Sequence, residues 1–500
     1  MASYKKIFCH ILIFCTFVAS YKLKKNKGMK SNIIGRKAEK AMLEEVYSSK
    51  KSEFVAVYGR RRVGKTYLVR ETFSDKFIFE ISGLANASTK EQLLNFSFTL
   101  RQSTGEDLKI PKNWLEAFSQ LIDFVKKNKN KRKILFFDEM PWMDTPRSGF
   151  LTALEHFWNG WASARKDIVL IVCGSSTSWI INNLINNHGG LHNRLTHVVY
   201  LKPFTLAECE QYFKWQKIDF SRYQIAEIYM IMGGIPFYLS KIEKGFGVSQ
   251  NVDNLFFTES AKLKNEFKNL YAALFRNSDD YIKIVEALSK KGKGLTRFDI
   301  SKFSKITSGG GLTKALQNLE YCGFIRKYHS PNKKTRNTLY QLIDSYSLFY
   351  FNFIQKNEYN DEHFWTNSLD TPLHNSWTGY AFEMLVLQHV AEIKNAMSIA
   401  GIQSSVSSWR SETEKPAAQI DLVIKRKDGI INILEIKYCN KKFTITKEYE
   451  ENLRNKISAF KAETHTRNAV HLLMLTTFGL NKNKYSGIVQ KELTLNNLFD

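Results

Sequence analysis

The stretch EFVAVYGRRRVGKTYLVRETF, residues 53–73, decides the first unit of the chain. Residues 54–58 form an unbroken apolar run, the pattern of a parallel strand buried on both faces. Gly59, Arg60, Arg61, Arg62, Val63, Gly64, Lys65 and Thr66 follow it and fit G-x-x-x-x-G-K-[ST], with a helical pattern after them. Two glycines let the backbone curl so that successive N–H groups face a phosphate, and the helix start adds its positive end. Lys65 would reach the β/γ-phosphates and Thr66 would offer a hydroxyl to Mg²⁺. These residues imply ATP and Mg²⁺ as ligands.

Two further strands complete the pattern. KILFFDEMPWM, residues 133–143, is an apolar run ending in Asp138 and Glu139. Asp138 is the expected partner of the Mg²⁺, and Glu139 the expected base that polarises the attacking water. IVLIVCGSS, residues 168–176, ends in Ser175 and Ser176, either of which is placed to sense the γ-phosphate. Arg194 precedes another β-like run and has the chemistry of an arginine finger, which can act across subunits of an oligomer. Strand, loop and helix in repetition predict a parallel sheet wrapped by helices. The run KKNKNKRK, residues 126–133, reads as a solvated loop with the option of phosphate-backbone contact.

On GRRRVGKT, LFFDE, VCGSS, the Arg194 segment with LKPFT, and MGGIPFYL at residues 232–239, the chain resembles the P-loop ATPases of the AAA-like and STAND group, in particular the archaeal-type ATPases. The resemblance covers residues 32–269. It implies a helical subdomain in which Gly234, Ile235 and Pro236 approach the adenine.

Between residues 280 and 345 the pattern changes to helices carrying 13 Lys/Arg against 5 Asp/Glu. Three helices and a two-stranded wing across HSPNKKTRN describe a winged helix-turn-helix. Its recognition helix is expected over residues 311–322 with Lys314 and Gln317 outward. Arg326, Lys327, Lys333, Lys334 and Arg336 are expected on the wing, facing DNA.

Farther on, GYAFEMLVLQHVAEI, residues 379–393, predicts a helix with Glu383 in its first turn. The hairpin QIDLVIKRKDGIINILEIKY, residues 419–438, carries Asp421 at the head of one strand and Glu435 and Lys437 two apart on the next. Residues two apart in a strand share a face. Helix-Glu, Asp and E-x-K resemble the core of the PD-(D/E)xK restriction-endonuclease-like fold, with Ile420 where a proline is usual. The resemblance implies Asp421 and Glu435 as Mg²⁺ ligands, Lys437 as the group that orients or deprotonates the water and steadies charge on the scissile phosphate, and Glu383 as the last acid.

The 500 residues thus divide into an extension (1–28), a P-loop core (29–205), a helical subdomain (206–275), a winged helix (278–350) and an α/β nuclease-like domain (360–500). The net charge of +25 favours a polyanion such as DNA. Six scattered cysteines suit reduced thiols and a cytoplasmic location rather than disulfides or zinc. Residues 7–20 form a signal-like apolar run, but it is short for a membrane span, so no stable membrane partner is expected and Met29 reads as the natural start. The rival reading is a nucleotide-switched signalling or scaffold ATPase with an inert nuclease-like domain.

Overall fold

The computed structural model describes residues 33–275, 277–328, 338–411 and 418–500. The extension at 1–28, Met29, Lys333, Lys334 and Arg336 lie outside the described residues. Among those described, no helix is long and apolar enough to cross a membrane.

Five strands form the first sheet: β1 (Glu53–Tyr58), β2 (Phe77–Ser82), β3 (Lys133–Asp138), β4 (Ile168–Gly174) and β5 (His197–Tyr200). All are parallel, in the order β2-β3-β4-β1-β5. Alternation along each strand feeds two cores. Val55, Val57, Phe136 and Ile171 pack toward Leu68, Val69 and Phe73 of the helix Lys65–Phe73. Phe54, Ala56, Phe137 and Leu170 pack on the opposite face, with Phe96, Trp114, Phe118 and Phe157 from three other helices. This two-sided burial is why the strands read as continuous apolar runs. The carboxyl ends of β1, β3 and β4 share one edge, where open α/β sheets place ligands. In residues 126–133, Lys126, Lys127, Lys129 and Lys131 are exposed, while the last two cations are tied down. Lys133 is buried and pairs with Asp167 at 2.7 Å, and Arg132 donates to the carbonyls of Val46, Lys51 and Lys166.

The middle module has helices Ser278–Ser289, Arg297–Ser304 and Gly310–Tyr321, with β6 (Leu295–Thr296), β7 (Ile325–Tyr328) and β8 (Leu339–Leu342). The expected two-stranded wing is a three-stranded antiparallel sheet, β6-β8-β7, because the two-residue β6 pairs with β8.

The C-terminal sheet has five strands, in the spatial order Lys491–Thr494, Ala469–Thr476, Ile430–Lys437, Gln419–Arg426 and Ser404–Arg410. β9 (Ser404–Arg410), β10 (Gln419–Arg426) and β11 (Ile430–Lys437) are antiparallel, while β13 (Ala469–Thr476) and β15 (Lys491–Thr494) add in parallel. A small pair, β12 (Phe443–Thr444) and β14 (Leu480–Asn481), lies apart. Helix Pro372–Gln388 covers one face through Phe382 and Leu385, and helix Lys447–Thr464 covers the other through Leu453 and Phe460. The predicted helix over 379–393 begins earlier, with Thr371 as its cap and Pro372 in its first turn, and breaks at His389. Glu383 is therefore mid-helix, not in the first turn. The break is tied in place: His389 is buried and its Nε2 accepts from the backbone N–H of Leu206 at 3.2 Å.

Candidate active sites

The phosphate loop spans the end of β1 and the helix Lys65–Phe73. Gly59 sits at φ +142°, and a Cβ there would meet the Leu201 carbonyl oxygen at 2.3 Å, so only glycine fits. Lys65 is buried, and its Nζ donates to the carbonyls of Gly59 and Arg60 at 3.0 Å each, which holds the ammonium inside the loop. Thr66 Oγ1 donates to both oxygens of Asp138 at 3.0 Å. Burial raises the Asp138 carboxyl, helped by neighbouring Glu139 and opposed by Arg70 and Thr66. Glu139 lies in left-handed backbone at φ 45°, and its Oε2 accepts from the N–H and Oγ of Ser175 at 3.0 and 2.9 Å. The expected sensor and the expected base are thus joined to each other across β3 and β4.

A cavity of about 690 Å³ opens beside this loop. Arg61, Arg62, Val63, Gly64, Lys65 and Thr66 line one side, with Glu139 at the catalytic end. Pro236 and Phe237 also line it. Gly234 brings that turn close: a Cβ there would fall 2.0 Å from the Phe204 carbonyl oxygen. Phe204, Tyr212 and Trp215 supply further aromatic surface suited to a planar base. Sequence reasoning missed these rings, and it missed Arg36, which stacks on Phe204 at 4.6 Å and donates to the Val63 carbonyl at 3.4 Å.

Two expected ligand-binding side chains have other work. Arg60 turns away from the cavity to a buried ion pair with Asp344, beyond β8, and stacks on Phe324 at 4.6 Å. Arg62 pairs with Glu266 and stacks on Phe237 at 4.1 Å. Their backbones remain in the loop while their charges tie it to neighbouring units. Arg194 is exposed and does not line the cavity.

The second site lies in the C-terminal domain. Continuing the β10–β11 register by one step sets Asp421 opposite Glu435. A bulge between Ile420 and Val423 interrupts pairing with β9 and reverses the alternation, so Ile420 and Leu422 face opposite cores with Asp421 between them. Glu435 is buried. It accepts from Lys456 Nζ at 2.8 Å and Tyr449 OH at 2.7 Å, and pairs with Lys437 at 3.3 Å. Burial alone would raise its carboxyl, but Lys456 and Lys437 hold it below its ordinary value. Burial and Glu435 push Asp421 up, and Gln419 Nε2 donates to it at 2.9 Å. Burial and the Asp421 charge push Glu383 up to about 8. Asp421, Glu435 and Lys437 thus sit together on β10 and β11, and Glu383 acts on them electrostatically. Among the described residues, however, no group of three or more His, Cys, Asp and Glu is arranged to hold a metal ion. Tyr449 and Lys456 were missed, although their spacing of seven on one helix marks a shared face.

In the middle module Lys314 and Gln317 are exposed, as expected. Lys327 pairs with Glu320 at 3.1 Å. Arg326 does not face outward: its Nε donates to Gln341 at 2.7 Å and its NH2 to Ser408 of β9 at 3.3 Å. Cys173, Cys209, Cys322 and Cys439 are free thiols; Cys9 and Cys15 lie outside the described residues.

Residues 34–242 match the family described as "ATPase domain predominantly from Archaea". This unit is an ATPase domain. The match ends within the helical subdomain, and the two later modules lie beyond it. Over 436 residues the chain is 23% identical to the uncharacterized protein MJECL04 of Methanocaldococcus jannaschii, covering 85% of this chain and 91% of that one. Among solved structures, the Walker-type ATPase PABY2304 of Pyrococcus abyssi aligns with TM-score 0.44 and 19% identity, over 64% of this chain and 97% of its own. The ORC2 protein of Aeropyrum pernix, in ADPNP–ADP complexes, aligns with TM-score 0.39 and 13% identity, over 64% and 93%. The STAND protein PH0952 of Pyrococcus horikoshii, with a tetratricopeptide repeat sensor, gives 0.30 and 17%, over 74% and 52%. These structural likenesses are loose.

Proposed function

We propose that the chain is an ATPase whose nucleotide cycle governs a C-terminal, metal-dependent site acting on DNA phosphodiesters. The observation that carries this reading is the grouping of Asp421, Glu435 and Lys437 on the central strands β10 and β11, with Glu383 of the helix Pro372–Gln388 acting on them.

In the ATPase unit Thr66 and Asp138, hard oxygens within 3.0 Å of each other, fit Mg²⁺ and would hold it. When bound, the ion neutralises charge on the β- and γ-phosphates. Lys65 contributes its charge to the same oxygens. Glu139, fixed by Ser175, takes the proton of the attacking water.

In the C-terminal site Asp421 and Glu435 face each other across β10 and β11, and this pair of hard carboxylates is what would hold a divalent cation, with water completing the shell. The ion would supply Lewis acidity to the scissile phosphate. Lys437 steadies charge on that phosphate, and Lys456 and Tyr449 fix the Glu435 carboxylate. The middle module fits a winged helix, and its exposed Lys314 and Gln317 suit backbone contact with DNA.

Calorimetric titration of the nucleotide-free chain with Mn²⁺ tests the second site. The reading expects a binding event that Asp421→Asn removes. Identical titrations for both proteins would defeat it. A second reading, a nucleotide-switched scaffold with an inert C-terminal domain, is favoured by the commitment of both lysines to Glu435. Absence of any Mn²⁺ binding would support that alternative.

A further inference from the structure

Arg326 belongs to β7 of the middle module, yet its side chain reaches into the C-terminal domain. Nε is anchored on Gln341 of β8 at 2.7 Å, within its own module. NH2 donates to Ser408 Oγ at 3.3 Å, and Ser408 Oγ in turn donates to the Asp421 carbonyl at 2.7 Å. Two bonds therefore link the guanidinium to the backbone of the central aspartate. Asp421 and Glu383 both act on the Arg326 charge from close by.

The other cations of this cluster already have a carboxylate partner. Lys437 and Lys456 both bind Glu435, at 3.3 and 2.8 Å. Among the described residues Arg326 forms no ion pair; its two bonds go to a neutral amide and a neutral hydroxyl. It is only partly buried, so part of the side chain meets solvent. A guanidinium oriented by neutral partners beside carboxylates, without being neutralised by one, is suited to a phosphate. Its planar fork matches two phosphate oxygens, which a lysine ammonium does not.

We propose that Arg326 is the phosphate-positioning residue of the C-terminal site, holding a backbone phosphodiester of the nucleic acid against the Asp421–Glu435 pair. The site is then composite: one domain supplies the carboxylates and the ATPase-side module supplies the phosphate clamp. Seating of the middle module on β9 is what completes it. Gln341 marks the same seam, since its Nε2 donates to Tyr380 OH at 3.3 Å on the helix that carries Glu383. This inference rests on the phosphodiesterase reading.

The test uses the full chain, a duplex oligonucleotide and Mn²⁺, with Arg326→Gln, Arg326→Lys and Ser408→Ala beside the wild type. Loss of one charge-assisted phosphate contact is expected to raise KM about tenfold or more in Arg326→Gln, with kcat changing less. The salt slope of DNA binding should fall by about one, and Arg326→Lys should recover part of the affinity. Ser408→Ala, which keeps the charge and removes one anchor, should give a smaller rise in KM. Mn²⁺ affinity, measured without DNA, should not fall in Arg326→Gln, because the change removes a cation. A wild-type chain that neither binds Mn²⁺ nor cleaves overturns the site assignment and this inference with it. Wild-type cleavage with an unchanged KM in Arg326→Gln, or no recovery in Arg326→Lys, overturns the inference alone.

Discussion

The ion pair between Arg60 and Asp344 offers a sharp energetic test. It joins the phosphate loop to the end of the middle module, and both partners are almost fully buried, at 6% and 4% exposure. Asp344 also accepts from the N–H and Oγ of Ser347 at 2.9 and 2.6 Å, capping the helix Ser345–Phe349. Asp344→Ala leaves Arg60 charged, buried and without its counter-ion. Breaking a buried pair in this way costs about 3–5 kcal/mol, and loss of the cap adds about 1 kcal/mol. At roughly 2–4 °C per kcal/mol for a unit of about 200 residues, the melting temperature should drop by about 8 °C or more. Arg60→Met should be comparably damaging, since it strands the carboxylate. The pair Arg60→Met/Asp344→Leu should recover much of the loss, because an apolar replacement removes both charges together. Thermal melting by circular dichroism of the four proteins closes the cycle. Single variants melting within about 2 °C of wild type, or losses that simply add in the double variant, would refute the reasoning. ATP affinity should weaken in the same single variants, as the loop backbone loses its tether.

Four further variants have expected outcomes. Lys65→Ala should abolish ATP turnover, read by phosphate release; unchanged turnover would contradict the loop geometry. Glu139→Gln should retain ATP binding and lose hydrolysis, and Ser175→Ala should lower kcat more than it changes ATP affinity, because Ser175 aims the Glu139 carboxylate. Glu227, on the helix Arg222–Met232 beside Tyr438, is pushed up to about 7 by burial. Its unfolded value is about 4.3, so its contribution to stability is full below about pH 4.3 and is lost as pH rises through about 7. Glu227→Gln should therefore raise the melting temperature relative to wild type more at pH 8 than at pH 5, and an equal difference at both pH values would show that Glu227 titrates normally.

The ATPase unit was legible because each part of it is local. A strand, a glycine-bounded loop and a helix stand in one run of residues, and Asp138 and Glu139 close a run whose apolar character reflects burial on both faces. Glu435 and Lys437 were legible by the two-residue period of a strand. What was hidden depends on long-range packing. Nothing near Arg60 indicates that its guanidinium pairs with Asp344, far along the chain, or that Arg62 pairs with Glu266. Arg326 reads as a wing cation by charge and position, yet β9 draws it inward. The two-residue β6 carries no periodicity to detect, and helix Pro372–Gln388 starts before its strongest apolar pattern. Lys456 and Tyr449 are intelligible only once Glu435 is known to be buried and in need of donors.

The central claim is that ATP chemistry and phosphodiester chemistry reside in one chain and are linked. Its most direct test is DNA cleavage by the full chain with Mg²⁺ or Mn²⁺, with and without ATP, beside Asp421→Ala and Lys65→Ala. The account predicts metal-dependent cleavage that Asp421→Ala abolishes and whose response to ATP is lost in Lys65→Ala. Intact plasmid, single-stranded and branched DNA under every condition, or cleavage that persists in Asp421→Ala, would contradict it.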